Sequence, residues 1–317
     1  MILPSVRVFA PGDVVLQGAP GEAAGSTFEG RVMVTVRVPT RIQRVQVTFQ
    51  TQTSRWTRLR QHKPAAPVAL HDCVYRSGGE VWGRGTYEFF FRIAVPGDLS
   101  ETMFTAHKRV AYEVRAVVEG SVRRAAARPV AVKRVPYFGS VWQALASDVV
   151  HVSAVWRDRI ELCALGCSRV QRDGQPLHVT GVVRALQKGF RLTKVGVLLE
   201  ERTRCRAAAT STSAVAASRF LRASDLASEP IVDQRAFDLE LLIPRAYGRI
   251  QYDVKHGPVT VSHRLAFVVA IVDQYGHGTS LRLFTPLHIM PHDAADVPDQ
   301  LPAYADALAD RILLAAT

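Results

Sequence analysis

The sequence predicts an all-β protein of two antiparallel β-sandwich units in tandem, followed by a short tail. Three observations predict it. Apolar and polar residues alternate with period two along most of the chain, the spacing that sends successive side chains to opposite faces of a strand. Pro- and Gly-bearing turns separate the alternating runs. No run pairs a strand with a long amphipathic helix, as a parallel α/β sheet would require. At 317 residues, the chain also exceeds the ~250–300 residues at which single cores stop growing.

Ser5 to Phe9 reads as a short strand, and Ala10-Pro11-Gly12-Asp13 as a turn before Val14-Val15-Leu16. Gln17 to Gly25, with three glycines and Pro20, reads as a loop. Phe28, Val32, Val34, Val36 and Val38 share one face of the next strand, opposite Arg31, Met33, Thr35 and Arg37. Val45, Val47 and Phe49 form a core face on a strand running toward Trp56. Arg58 to Gly79 is polar and irregular and reads as a long surface loop. Tyr87, Phe89, Phe91, Ile93 and Val95 resume the pattern, ended by Pro96-Gly97-Asp98. Val110, Tyr112, Val114, Ala116 and Val118 make another strand, and Pro129 to Val135 the last of this half.

Tyr137 to Asp148 lacks alternation and is the expected connector, so the units are assigned to 1–148 and 149–292, with a tail at 293–317. The strand pattern restarts from Trp156. Leu177 to Leu186 and Arg191 to Glu201 flank a Lys188-Gly189 turn. Thr203 to Ser228 is rich in Ala, Ser and Thr and reads as a mobile loop, its Thr210 to Ser213 run as solvated linker in preference to a phosphorylation site. Phe237, Leu239, Leu241 and Ile243 form a core face closed by Pro244. Val259, Val261, Leu265, Phe267, Val269 and Ile271 form the longest one. A hairpin loop from Asp273 to Gly278 returns the chain through Leu281, Leu283, Leu287 and Ile289.

Composition narrows the classes. No apolar run approaches the ~20 residues of a membrane span, and Pro4, Arg7 and Pro11 break the start where a secretory signal would be apolar. Cys73, Cys163, Cys167 and Cys205 lack framework spacing, which favours a reducing compartment. Cys163 and Cys167 have no second ligand pair, and the histidines from His256 to His292 are scattered, so neither a metal nor a cofactor is expected. Ser262-His263 cannot pair as nucleophile and base, because adjacent strand residues face opposite ways. No nucleophile elbow or phosphate-cradling loop occurs, and the chain is expected not to be an enzyme. The net charge of +12 favours anionic partners. Arg55, Arg58, Arg60 and Lys63 cluster beside a loop as a candidate contact for anionic headgroups, against the alternative of a solvated loop. Motifs for nucleic-acid recognition are lacking, and no nucleic-acid partner is expected.

The tail carries the sharpest motif. Pro291, Pro298 and Pro302 break the strand pattern. Pro302 fixes its own φ and biases Leu301 toward extended geometry. Leu301-Pro302-Ala303-Tyr304 therefore presents a pre-ordered extended peptide with an aromatic two residues after the proline, the shape that WW domains read. The competing reading is a C-terminal helix docked on the body through Leu308, Ile312 and Leu313.

Several stretches, in order, resemble the arrestin family, and within it the fungal α-arrestins, or arrestin-related trafficking adaptors. They are Phe9-Ala10-Pro11-Gly12-Asp13 followed by Phe28-Glu29-Gly30-Arg31-Val32; Gly85 to Pro96; and Ala111-Tyr112-Glu113-Val114-Arg115-Ala116. In the second half they are Trp156 to Glu161, Lys188-Gly189-Phe190 with Val195 to Glu200, and Val261-Ser262-His263-Arg264-Leu265. Leu301-Pro302-Ala303-Tyr304 with Asp310-Arg311 completes the order. The strand ending at Trp56 lacks the glycine usual in the family, and one Pro-x-Tyr motif stands where many relatives carry several. The resemblance implies immunoglobulin-like, arrestin-type sandwiches in a cytoplasmic adaptor at the plasma membrane or endosomes. Such an adaptor links the cytosolic tails of transporters or receptors to the WW domains of a HECT-type ubiquitin ligase, promoting cargo ubiquitination and endocytosis. A cargo-sorting scaffold of the same fold without ligase recruitment, similar to a retromer subunit, is the alternative.

Overall fold

A computed structural model describes residues 3–56, 62–64, 68–105, 108–135, 147–206, 209–221, 231, 233–246, 250–255 and 257–292, with 54–56 and 62–64 in backbone only. The described residues fall into two compact units, one ending at 135 and one beginning at 147. The expected connector lies outside the described residues up to 146, and so does the whole tail from 293.

The first unit contains β1 (Ser5–Phe9), β2 (Asp13–Gln17), β3 (Ser26–Val36), β4 (Thr40–Trp56), β5 (His62–Pro64), β6 (Val68–Arg76), β7 (Val81–Trp82), β8 (Gly85–Val95), β9 (Met103–Phe104), β10 (Lys108–Gly120) and β11 (Arg124–Val135). One sheet has the order β1-β3-β8. The other runs β2-β11-β10-β4-β5, with β6 and β7 also on β4 and β9 on β10. Pairing is antiparallel except between β2 and β11. The sheets meet through the alternating apolar faces. Phe28 of β3 sets its ring edge against Phe49 of β4 at 5.7 Å, and Phe49 stacks on Tyr112 of β10 at 5.7 Å. Val32, Val34, Val47 and Val114 are fully enclosed around them.

The second unit contains β12 (Val149–Trp156), β13 (Ile160–Ser168), β14 (Val170–Arg172), β15 (Pro176–Ala185), β16 (Arg191–Cys205), β17 (Thr210–Phe220), β18 (Gln234–Leu242), β19 (Val259–Val272) and β20 (Gly278–Met290). Its sheets have the orders β12-β13-β15-β18 and β14-β20-β19-β16-β17. One hydrophobic cluster joins Leu162, Val179 and Leu239 of the first sheet to Val197, Phe267 and Leu287 of the second. Two face-to-face sheets in each unit make the protein all-β and sandwich-type, as the alternation requires.

Five expectations need correction. The loop expected over Arg58 to Gly79 contains β6, which pairs with β4 from Arg44↔Arg76 to Thr51↔Val68. The loop expected over Thr203 to Ser228 contains the end of β16 and all of β17. Both missed strands are edge strands with mostly exposed side chains, so backbone pairing holds them and no apolar stripe advertises them. Val38 lies beyond the end of β3 and is 46% exposed. Trp156 ends β12 rather than opening the pattern, because the turn that follows uses left-handed Arg157 and Asp158. The last strand of the first unit starts at Arg124, five residues before Pro129.

Phe89 shares parity with buried Phe91 yet is only half-buried. Two rings lie against it, Trp82 stacked at 5.6 Å and Tyr75 at 5.3 Å. Phe89→Ala is therefore expected to cost about 2 kcal/mol, short of the 3–5 typical of an enclosed Phe. Urea denaturation checks it; a loss above about 4 kcal/mol would place the ring in the sealed core.

Candidate functional site

The structure brings together only part of what the sequence marks as functional. Leu301, Pro302, Ala303 and Tyr304 lie outside the described residues, as do Arg58 and Arg60. Arg55 and Lys63 are direct cross-strand partners on β4 and β5, and Arg55 is also paired with Lys108 on β10. The register thus places three basic residues in one cross-strand row.

The main ionic cluster of the second unit was not legible in the sequence as a site. His263, on the inner face of β19, has a side chain with no exposed surface. Its Nδ1 hydrogen-bonds a carboxylate oxygen of Asp253, and its Nε2 lies 3.5 Å from Glu201 Oε2. The second Asp253 oxygen pairs with His288 Nδ1 at 2.6 Å. Glu201 Oε2 also accepts the Gln251 backbone N–H at 2.7 Å. Burial works against charge on His263, but the Asp253 hydrogen bond and the Glu201 carboxylate outweigh it and push its pKa up to about 9. Burial likewise opposes charge on Asp253, and the two histidines reverse that and hold its carboxyl below the usual range. The cluster ties β16, β19 and β20 to the segment at 250–254.

The first unit has a counterpart. The nearly enclosed Arg134 side chain donates from Nη1 to Gly18 O and from Nη2 to Gly97 O and Leu99 O, each at 2.8 Å. Its Nε lies 3.5 Å from Glu101 Oε1. Next to it, Lys133 pairs with Asp13 across the parallel β2–β11 ladder. Arg134 thereby holds the loops after β2 and β8 together. These are locking interactions, with no free nucleophile or base among them.

Ser262 is exposed and His263 buried, on opposite faces of β19. A shallow trough of about 520 Å³ lies on the outer side of the β13–β15–β18 sheet, lined by Cys163, Leu165, Val182 and Ala236 with Asp238 at one side. Cys163 Sγ is 3.7 Å from His151 Nε2. Cys167, on the same strand, packs against the core instead, so the two thiols do not converge. Among the described residues, no three His, Cys, Asp or Glu side chains gather as a metal cluster, and no helix is long and apolar enough to cross a membrane.

Fold and site together define a class: an all-β protein of two sandwich-type units whose polar clusters fix loops and strands. Over 95% of its length the chain is 22% identical to a protein of Aspergillus clavatus described as probable HECT-type ubiquitin ligase-interacting protein creD. The chain spans about half of that protein, 55% of its length. No family model matches the chain.

Proposed function

We propose that this chain is an adaptor of the arrestin type that recruits a HECT-type ubiquitin ligase to membrane cargo. One observation carries the reading. Similarity over nearly the whole chain leads to a protein named for its interaction with such a ligase, and this chain carries Leu301-Pro302-Ala303-Tyr304, a Pro-x-Tyr sequence of the kind that WW domains grip. The all-β body supplies the frame the resemblance implies, and the ordered motifs of both halves agree with it. In this reading Pro302 and Tyr304 enter the ligase's WW domain. The sandwiches hold the cytosolic tail of a transporter or receptor. The adaptor works from the cytoplasm at the plasma membrane or endosomes, and ubiquitinated cargo is internalised. Arg55, Arg58, Arg60 and Lys63 add contacts to anionic headgroups.

The test uses the tail. Pro302→Ala and Tyr304→Ala are each expected to weaken binding to HECT-ligase WW domains more than tenfold, that is by more than ~1.4 kcal/mol. Melting of the β body should stay unchanged, since neither residue belongs to a strand pattern. Undiminished WW binding without Tyr304 would mean that the ligase is recruited elsewhere or not at all. A large fall in melting temperature would show the tail docked on the body.

A further inference from the structure

The outer face of the five-stranded sheet in the second unit carries a short apolar stripe. Leu198, Ala266 and Val268 point away from the core, yet are only 7%, 0% and 5% exposed. They form a small apolar cluster with Phe220. Phe220 reaches it because its cross-strand partner is Gly196: a Cβ there would come within 2.0 Å of the ring. Phe284 borders the same stripe opposite Ala266, and Val215 lies beside Glu200. These two stay 45% and 56% exposed.

Cations frame this stripe. Lys194 Nζ lies 4.0 Å from the Phe220 ring centre, and the Arg264 guanidinium 3.8 Å from that of Phe284. Arg282 stands opposite Val268. Farther along β16, Arg202 is flanked by Ser213 and Ser262, and Arg204 by Ser211 and Thr260. Both arginines and all four hydroxyl residues but Thr260, which is half-buried, are exposed. Among the described residues Arg202 and Arg204 have no ion pair. Among the described residues of these strands, Glu200 is the one outward-facing carboxylate, and Arg264 takes it at 2.6 Å.

We propose that this face docks on an anionic lipid surface. Charge complementarity points there: with Arg264 spent on Glu200, the four cations Lys194, Arg202, Arg204 and Arg282 remain. So does extent: from Lys194 to Arg204 the strand covers roughly 33 Å at ~3.3 Å per residue, the reach of several headgroups rather than of one small anion. Guanidinium forks beside hydroxyl donors suit phosphate oxygens. An exposed Phe and Val within a cationic frame suit the boundary between headgroups and acyl chains. A single-stranded nucleic acid fits less well, because Lys194 and Arg264 already cover the ring faces on which bases would stack. The proposal needs neither the tail nor the ligase.

Vesicle flotation with the full chain tests it, using phosphatidylcholine alone or mixed with phosphatidylserine. The wild-type chain is expected to float with the mixed vesicles only, and less as salt rises. Arg202→Glu with Arg204→Glu should lower that binding at least tenfold at an unchanged melting temperature. The milder Arg202→Gln with Arg204→Gln should give a smaller loss in the same direction, and Phe284→Ser should weaken binding as well. Tyr304→Ala should float like wild type, which separates this idea from the tail reading. Equal flotation of the glutamate variant and wild type overturns the proposal. So does equal binding to neutral vesicles, or binding to polyuridylate or polyglutamate with no flotation.

Discussion

Replacing His263 with alanine is expected to destabilise the second unit by ~3–5 kcal/mol at pH 6, the cost of removing one partner from a buried charged cluster. Among the described residues Asp253 would keep only the His288 hydrogen bond, and Glu201 would lose the imidazole beside it. The pH dependence has a definite sign. His263 has a folded pKa raised to about 9 against an ordinary value near ~6.5. Its contribution, on the order of 3 kcal/mol, is therefore fully present below pH ~6.5 and fades as pH rises toward 9. Asp253, whose pKa is lowered, acts at the other end. Its contribution is present above the usual aspartate range and is lost as pH falls through its folded value. The second unit should accordingly be most stable between about pH 4.5 and 6.5 as far as this cluster governs it. Urea denaturation across pH 5 to 9, at ~0.5 pH intervals, reads both effects. In His263→Ala the decline from pH 6.5 to 9 should flatten. If the slope survives the substitution, another group is titrating.

Phe49→Ala carries the second large effect, ~3–5 kcal/mol in the first unit. Phe49 is wholly enclosed and touches both sheets, edge-on to Phe28 and stacked on Tyr112. Removing the ring takes out the apolar burial and also two aromatic contacts, and the surrounding valines are too short to fill the space. Phe49→Leu keeps most of the volume and should cost clearly less. The two variants compared by denaturation separate ring packing from bulk. A Phe49→Ala loss below about 1.5 kcal/mol would mean that the sheets close over the gap or that the ring is not the bridge between them.

What the sequence by itself determined is what depends on neighbours along the chain. Alternation over Val32 to Val36 or Leu265 to Ile271 states which side of a strand is apolar, because the side-chain period of two is a local property. A protein with many such runs must pair sheets to cover them, so the sandwich-type architecture was legible. The expectation of an extended peptide at Leu301-Pro302-Ala303-Tyr304 is equally local, since a proline limits its own φ and the geometry of the residue before it, and those residues lie outside the described ones. Tertiary structure decided everything that depends on which strand lies beside which. Edge strands β6 and β17 have no apolar stripe and exist because β4 and β16 offer unpaired backbone groups to them. Phe89 and Phe91 look alike in sequence, and only the placement of Trp82 and Tyr75 leaves the first half-covered. His263 reads as an ordinary strand histidine until it and His288, 25 positions on, both close on the carboxylate of Asp253, 10 positions back. Arg202 and Arg204 are two arginines among forty basic residues until register sets hydroxyls on either side of each. Period is written in the chain, but register and neighbourhood are set by long-range pairing, which no short stretch of sequence contains.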